Sequence, residues 1–292
     1  MPGSKVGPGG WLVVVAPTDA ERQDLIARGI PNELICDALD ADEMSHVDHH
    51  ETGAKLIVLR VAASASAEAE VVPLGVVTLP DGCVVTISAT DTGIPQMLEG
   101  TSLQGISSTA FALRISELVA QRCVKTLRAI DDQVDQLEVT LRGALENDEI
   151  LGLLGYQKRL VHLVTSLSAN KLVLERALED ERLDLTEHER TLVADVLVEL
   201  NQAVTMARTQ KELLGETMDA LATVVSNNLN VAMKKLASLT LLVSLPALAA
   251  GVYGMNVALP GEHHPQAFVM VLGTAAVAVV LLAIYLRAHR WL

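Results

Sequence analysis

Residues 236–252 read LASLTLLVSLPALAAGV and residues 267–286 read AFVMVLGTAAVAVVLLAIYL, and neither run contains Asp, Glu, Lys or Arg. A helix needs roughly 17 to 25 predominantly apolar residues to cross about 30 Å of hydrocarbon, so each run is read as a membrane span. Lys234 and Lys235 stand just before the first run, Arg287 and Arg290 just after the second, and the connection 254–266 carries no Lys or Arg. By the positive-inside rule both ends of this hairpin are cytosolic and the connecting loop is outside. The opening MPGSKVGPGG has no apolar stretch after Lys5, so the hairpin, and no cleavable leader, is expected to direct insertion. Without an Arg- and Ser-rich leader, a bacterial or archaeal plasma membrane is the expected location.

Upstream of the first span the chain shows no proline between Thr186 and Pro246, and Thr186 with Glu189 forms a capping-box pattern. One helix from Thr186 to Val252 follows, on the order of 100 Å long at about 1.5 Å per residue. Such a helix needs neighbours along its length. Two earlier segments, together with copies from other subunits, could supply them: Leu113, Leu118, Leu127, Ile130, Val134, Leu137 and Leu141 keep helical spacing, and 151–178 continues the pattern. Thr223, Ser226, Asn227, Asn228 and Asn230 interrupt the apolar texture just before the membrane. They suit a wet central seam, or an exposed helix face.

The first hundred residues have another texture. Stretches 11–16, 56–62, 71–79 and 83–87 are rich in Val and Ile and read as strands. Pro80-Asp81-Gly82 between the last two is turn chemistry and predicts a hairpin. Thr18 and Pro31-Asn32-Glu33 read as helix starts. The organisation is therefore an α/β domain over 1–107, cytosolic helices over 108–235 including the stalk part of the long helix, and a transmembrane hairpin over 236–292.

Composition narrows the function. A formal charge of −14 excludes phosphate-backbone binding, and 2% aromatics leave no base-stacking platform, so no nucleic-acid partner is expected. An acidic chain suits cations, or merely a soluble domain. Cys36, Cys83 and Cys123 form no CxxC pair and are expected to be reduced core residues. The stretch His46-Val47-Asp48-His49-His50-Glu51 fits no zinc spacing and is read as a solvated connection. No phosphate loop and no nucleophile motif occurs, so the chain is not expected to be an enzyme.

The first span ends in Gly251-Val252-Tyr253-Gly254-Met255-Asn256. There the chain resembles the CorA family of magnesium channels, whose signature at this place is Gly-Met-Asn. The layout of long helix, motif, short loop, second span and basic end (Arg287-Ala288-His289-Arg290-Trp291) resembles the family too. So do Ser226-Asn227-Asn228-Leu229-Asn230, Ala38-Leu39-Asp40-Ala41-Asp42-Glu43, Asn147-Asp148-Glu149 and Ser166-Leu167-Ser168-Ala169-Asn170. The resemblance implies a funnel-shaped homopentamer in the lipid bilayer that takes up magnesium along the membrane potential. Internal magnesium would close it, and no cofactor other than magnesium, as substrate and regulatory ligand, is expected. Zinc, cobalt or nickel uptake by the same architecture is the alternative, and a membrane-anchored coiled-coil scaffold is the rival of another class.

By that resemblance Gly254, Met255 and Asn256 form the selectivity filter, five copies of Asn256 presenting amide oxygens to a hydrated ion. Spacing alone allows Asn256 to be a helix-end cap. Three- and four-residue steps down the helix give Ala247, Ser244, Thr240, Leu236, Met233 and Asn230 as pore-facing candidates, with Leu236 and Met233 as a hydrophobic gate. Asp219 resembles an acidic pore mouth, and Asp195 a residue that binds regulatory magnesium, with Asp91 and Glu99 as guesses for its partner. Glu262 in the outer loop would concentrate cations, and His263 and His264 beside it are better ligands for zinc, cobalt or nickel.

Overall fold

The computed structural model describes residues 4–6, 11–98, 106–141, 147–180, 183, 185–255 and 265–291. Two compact units divide the chain, Met1–Glu216 and Thr217–Leu292. The first begins with β1 (Ser4–Val6), β2 (Trp11–Val15), α1 (Asp19–Ala27), α2 (Asn32–Leu39), β3 (His46–His49), β4 (Lys55–Ala62), β5 (Val71–Thr78), β6 (Val84–Ser88) and the short α3 (Ile94–Met97). Three long helices follow: α4 (Ser108–Leu141), α5 (Asn147–Glu179) and α6 (Glu187–Tyr253), the last continuing into the second unit; α7 (Ala267–Ala288) closes the chain.

The strands make one sheet in the order β1-β2-β6-β5-β4-β3, antiparallel except for the parallel pair β2 and β6. Alternation along each strand fills both faces. Trp11, Val13, Leu59, Leu74, Val76 and Val84 turn to Ile94, Phe111, Ile115, Leu118 and Val119, and the Trp11 ring meets Phe111 edge-on at 5.2 Å. Leu12, Val14, Leu56, Val58, Val77 and Ile87 turn to Leu25, Leu34, Ile35 and Ala38 of the α1–α2 layer. On that face α2 lies so close that a Cβ on Gly75 would stand 2.4 Å from the Cβ of Ala38. Only a glycine fits there.

The expected hairpin is present. Gly82 takes φ +84°, Asp81 Oδ1 accepts from Cys83 N–H at 2.9 Å, and β5 pairs with β6. Thr18 caps α1 in a capping box with Glu21. Two readings are corrected. The histidine-rich stretch is not a connection: His46–His49 is an edge strand paired to β4, formed because β4 offers it a free ladder rather than because its own side chains ask for a core. Of the cysteines, all free, only Cys123 is buried, while Cys36 is exposed and Cys83 intermediate; burial pushes the Cys123 thiol up to about 11.

Beyond β3 the sheet edge is completed by a side chain. Asn170, 1% exposed on α5, accepts from Arg60 N–H and donates to Arg60 C=O, both at 2.8 Å. Its Oδ1 also accepts from Ser45 Oγ at 2.7 Å. Arg60 stands opposite Pro73 in β5 with its polar groups turned to Asn170, so the missing N–H of Pro73 costs the ladder nothing.

In the first unit, α6 buries Val193, Val196, Leu200, Ala203, Ala207 and Leu214 at helical spacing, and Gln210 Nε2 donates to Leu127 C=O of α4. Its start carries the expected capping box, Thr186 N–H and Oγ1 donating to Glu189 Oε2 at 2.9 and 2.8 Å. Ser107 Oγ donates to the other carboxylate oxygen of Glu189. In the second unit α6 continues helical through Pro246, and α7 carries no charge until Arg287.

Candidate functional site

Among the described residues two helices are long and apolar enough to cross a membrane, the C-terminal part of α6 and all of α7, and the apolar stretch of each is almost wholly unburied within the chain. In water that surface would drive aggregation; in lipid it is expected. The residues screened from solvent show how the two helices meet. On α6 they are Ser238, Leu242, Leu245 and Ala249, and on α7 Ala267, Val271, Ala275, Ala278, Val279, Leu282, Ala283 and Leu286, a stripe that recurs every three or four residues on each helix. Ser238 Oγ donates to Lys234 C=O at 2.8 Å and lies 3.3 Å from Trp291 C=O. The start of the first span therefore touches the end of the second, as in an antiparallel pair.

The candidate pore residues lie on the opposite side of α6. At about 100° per residue, Asn230, Met233, Leu236, Thr240, Ser244 and Ala247 fall within roughly 60° of Met233, whereas the α7-facing stripe centres about 150° away. All six are exposed, Met233 and Leu236 by 60% and 61%. Asp219, also exposed, falls on the same stripe by the same count. The hydroxyls on it spend their protons on their own helix: Thr240 Oγ1 donates to Leu236 C=O at 2.9 Å and Ser244 Oγ to Leu241 C=O at 3.0 Å. Their lone pairs stay available outward, as acceptors.

The helix ends on the motif. Gly254 N–H donates to Ala250 C=O at 2.9 Å and Met255 N–H to Val252 C=O at 3.3 Å. The last turn leaves carbonyls without intrahelical partners at the negative end of the helix dipole, a favourable place for a cation. Asn256, Glu262, His263 and His264 lie outside the described residues.

Asp195 sits elsewhere, in the first unit, on a cleft of about 410 Å³ between α4 and α6 lined also by Arg114, Glu117, His188 and Glu199. Burial first, then the neighbouring Glu117, and more weakly Asp195, raise the Glu199 carboxyl above its ordinary range, against Gln121 and Arg114, which lower it. Asp195 stands out in the sequence, whereas Glu117 and Glu199, which line the same cleft, do not. Glu199 is one turn from Asp195 and was within reach; Glu117 comes from another helix, and nothing local points to it. Asp91, one of the guessed partners, accepts from Gly93 N–H at 2.9 Å and faces Gln96, and it does not line this cleft; Glu99 lies outside the described residues.

An α/β sandwich whose last helix runs on into an apolar two-helix hairpin defines a class of membrane protein. The chain belongs to the family of CorA-like Mg2+ transporter proteins, whose model matches residues 9–288. It is 27% identical over 169 residues to the cobalt/magnesium transport protein CorA of Methanocaldococcus jannaschii, covering 58% of this chain and 53% of that one. With its counterpart from Thermotoga maritima it shares 24% over 167 residues, 57% and 48% of the two chains. These matches thus span about half the length of the curated relatives. The fold matches the complete structure of the CorA magnesium transporter from Methanocaldococcus jannaschii with a TM-score of 0.84 at 22% identity, over 97% of this chain and 91% of that one. The full-length CmaX protein is also similar, at 0.57, 16% identity, and 95% and 88% coverage.

Proposed function

We propose that this chain is a subunit of a homopentameric channel that carries divalent cations, magnesium first, into the cell. The observation that supports it most is the uncharged stripe of α6 from Asn230 to Ala247, turned away from α7 and leading to Gly254-Met255. A hairpin by itself would press that stripe's hydroxyls and amide against lipid; several copies around an axis turn it to a shared water-filled path. The names of the relatives, cobalt/magnesium transport proteins, agree.

Magnesium sheds its water reluctantly, so neutral acceptors that hold a hydrated ion suit it better than a carboxylate cage. Asn256, in the motif Gly254-Met255-Asn256, would take its hydration shell at the outer mouth, where Glu262 attracts cations. Thr240 and Ser244 would receive hydrogens from that shell along the path. Met233 and Leu236 form the constriction, able to gate by dewetting, and Asp219 the inner acidic mouth. Both termini face the cytosol by the charge rule. A doubly charged ion gains on the order of 4.6 kcal/mol across about 100 mV, more than a thousandfold in concentration, so no nucleotide is needed. Asp195 would contribute to a regulatory magnesium site that favours the closed form when internal magnesium is high.

His263 and His264 favour a second reading, zinc, cobalt or nickel as the cargo. Magnesium influx into proteoliposomes, wild type beside Asn256→Ala with zinc as competitor, decides. We expect magnesium influx that zinc inhibits weakly and that the substitution abolishes while the oligomer stays intact. Zinc influx that magnesium leaves untouched would make zinc the cargo, and flux of neither ion from an intact oligomer would leave a membrane-anchored scaffold.

A further inference from the structure

The cations at the inner end of the hairpin converge in a way that neither the ion path nor the packing of α6 on α7 uses. Lys234 and Lys235 precede Ser238 by one turn of α6, and Ser238, 0% exposed, touches the carbonyl of Trp291. The chain reaches that carbonyl by turning back after α7: Arg290 takes the left-handed φ of 58°, Trp291 N–H donates to Leu286 C=O at 2.9 Å and Arg290 N–H to Arg287 C=O at 3.2 Å. This closure brings Arg287 and Arg290 to the level of the two lysines. All four side chains are exposed, and Trp291, whose backbone makes the closure, is 39% exposed.

Among the described residues of the second unit from 220 onward, no acidic side chain offsets this group. Residues 220–255 and 265–291 contain neither Asp nor Glu, and the nearest acid along α6, Asp219, lies about four turns before Lys234. Direction matters as much as charge. Counting about 100° per residue from Met233, Lys234 and Lys235 fall at about 100° and 200°, on either side of Ser238 and away from the pore-facing stripe. They therefore lie on the outer, α7 side of α6, at the boundary of the apolar runs, where headgroups sit.

We propose that Lys234, Lys235, Arg287 and Arg290 form a binding site for the phosphate headgroup of an anionic phospholipid of the inner leaflet, with Trp291 as its interfacial anchor. The occupant is a lipid rather than free phosphate because the cluster sits directly on the span, so acyl chains can lie along α7 while the headgroup meets the cations. The proposal rests on reading α6 and α7 as spans whose linked ends face the cytosol, and on nothing about conduction.

The test uses the full-length oligomer in detergent, titrated with phosphatidylglycerol and separately with phosphatidylcholine, bound lipid being counted by native mass spectrometry. We expect phosphatidylglycerol to bind at least about fivefold more tightly, each cation near the surface being worth on that order. The preference should shrink as salt is raised from about 0.1 to 1 M, and millimolar inorganic phosphate should not displace the lipid. Lys235→Gln with Arg290→Gln should erase the preference, and Lys235→Arg with Arg290→Lys should keep it. Equal affinity for the two lipids, or displacement by inorganic phosphate, would overturn the site whatever the behaviour of the variants. Ion flux measured on the same preparation is independent of this result, so a conducting protein without lipid preference would refute the lipid site alone, and a lipid-selective protein without flux the channel alone.

Discussion

Asn170 does with one side chain what a strand would do with its backbone. Its amide meets both polar groups of Arg60 where β3 has run out, and Ser45 uses the remaining capacity of its oxygen. Asn170→Ala leaves a buried N–H and C=O without partners, which costs on the order of 2–4 kcal/mol; a fall in melting temperature of the detergent-solubilised protein would show it, whereas Asn170→Leu should do no better although it restores volume. Glu189 is a second such residue. Burial opposes its ionisation, but bonds from Ser107 and Thr186, with the charge of His188, hold its carboxyl below the ordinary value of 4.5. A depressed carboxylate contributes its stability above the unfolded value and loses it as pH falls through the folded one. Wild type should therefore lose melting temperature on acidification below about pH 4.5 more steeply than Glu189→Gln, and Thr186→Ala should cost about 1 kcal/mol at neutral pH. An equal pH slope in the two proteins would contradict the first expectation.

At the scale of elements, what could be read from the sequence is what carries its own periodicity. The strands β2, β4, β5 and β6 announce themselves by Val and Ile that must bury on both sheet faces, and α6 by a cap, a repeat and an apolar end. β1 and β3 do not. Ser4–Val6 is three residues long and His46–His49 is polar, and both are edge strands created by a neighbour's unpaired ladder. The stripe on α6 was legible because three- and four-residue steps select a face without knowledge of its surroundings. What the steps could not supply was the identity of the opposite face, which Ser238 and Trp291 define through a contact 53 residues apart. The two faces give a prediction. With Cys36, Cys83 and Cys123 replaced by Ser, Ser244→Cys in the oligomer should react with a membrane-impermeant methanethiosulfonate and lose most of its influx, and Leu245→Cys, one residue on and facing α7, should do neither. Equal labelling of the two would contradict the path.

The whole chain joins two chemistries along one helix. In the first unit α6 is held by a dry stripe from Val193 to Leu214, and in the second it leaves an uncharged stripe exposed. The cleft at Asp195 belongs to the first part. Glu117 and Glu199 crowd there, and a divalent cation would relieve their repulsion. Glu199→Gln should therefore raise melting temperature slightly without magnesium, by well under about 1 kcal/mol, and blunt the further rise on adding magnesium; an undiminished response would remove Glu199 from the site. The association of copies proposed above would leave little local trace in the sequence, because an interface between identical helices reads like any exposed face until the partner is present.

Conduction is the property that separates a channel from an anchored scaffold. Wild-type protein in vesicles loaded with a magnesium-sensitive dye, given external magnesium and a potassium diffusion potential, measures it directly. A magnesium signal that appears without nucleotide, grows as the interior is made more negative and collapses when the potential is dissipated is the result predicted. A signal no greater than that of empty vesicles at every potential, from a protein shown to be oligomeric in the same membranes, would contradict it.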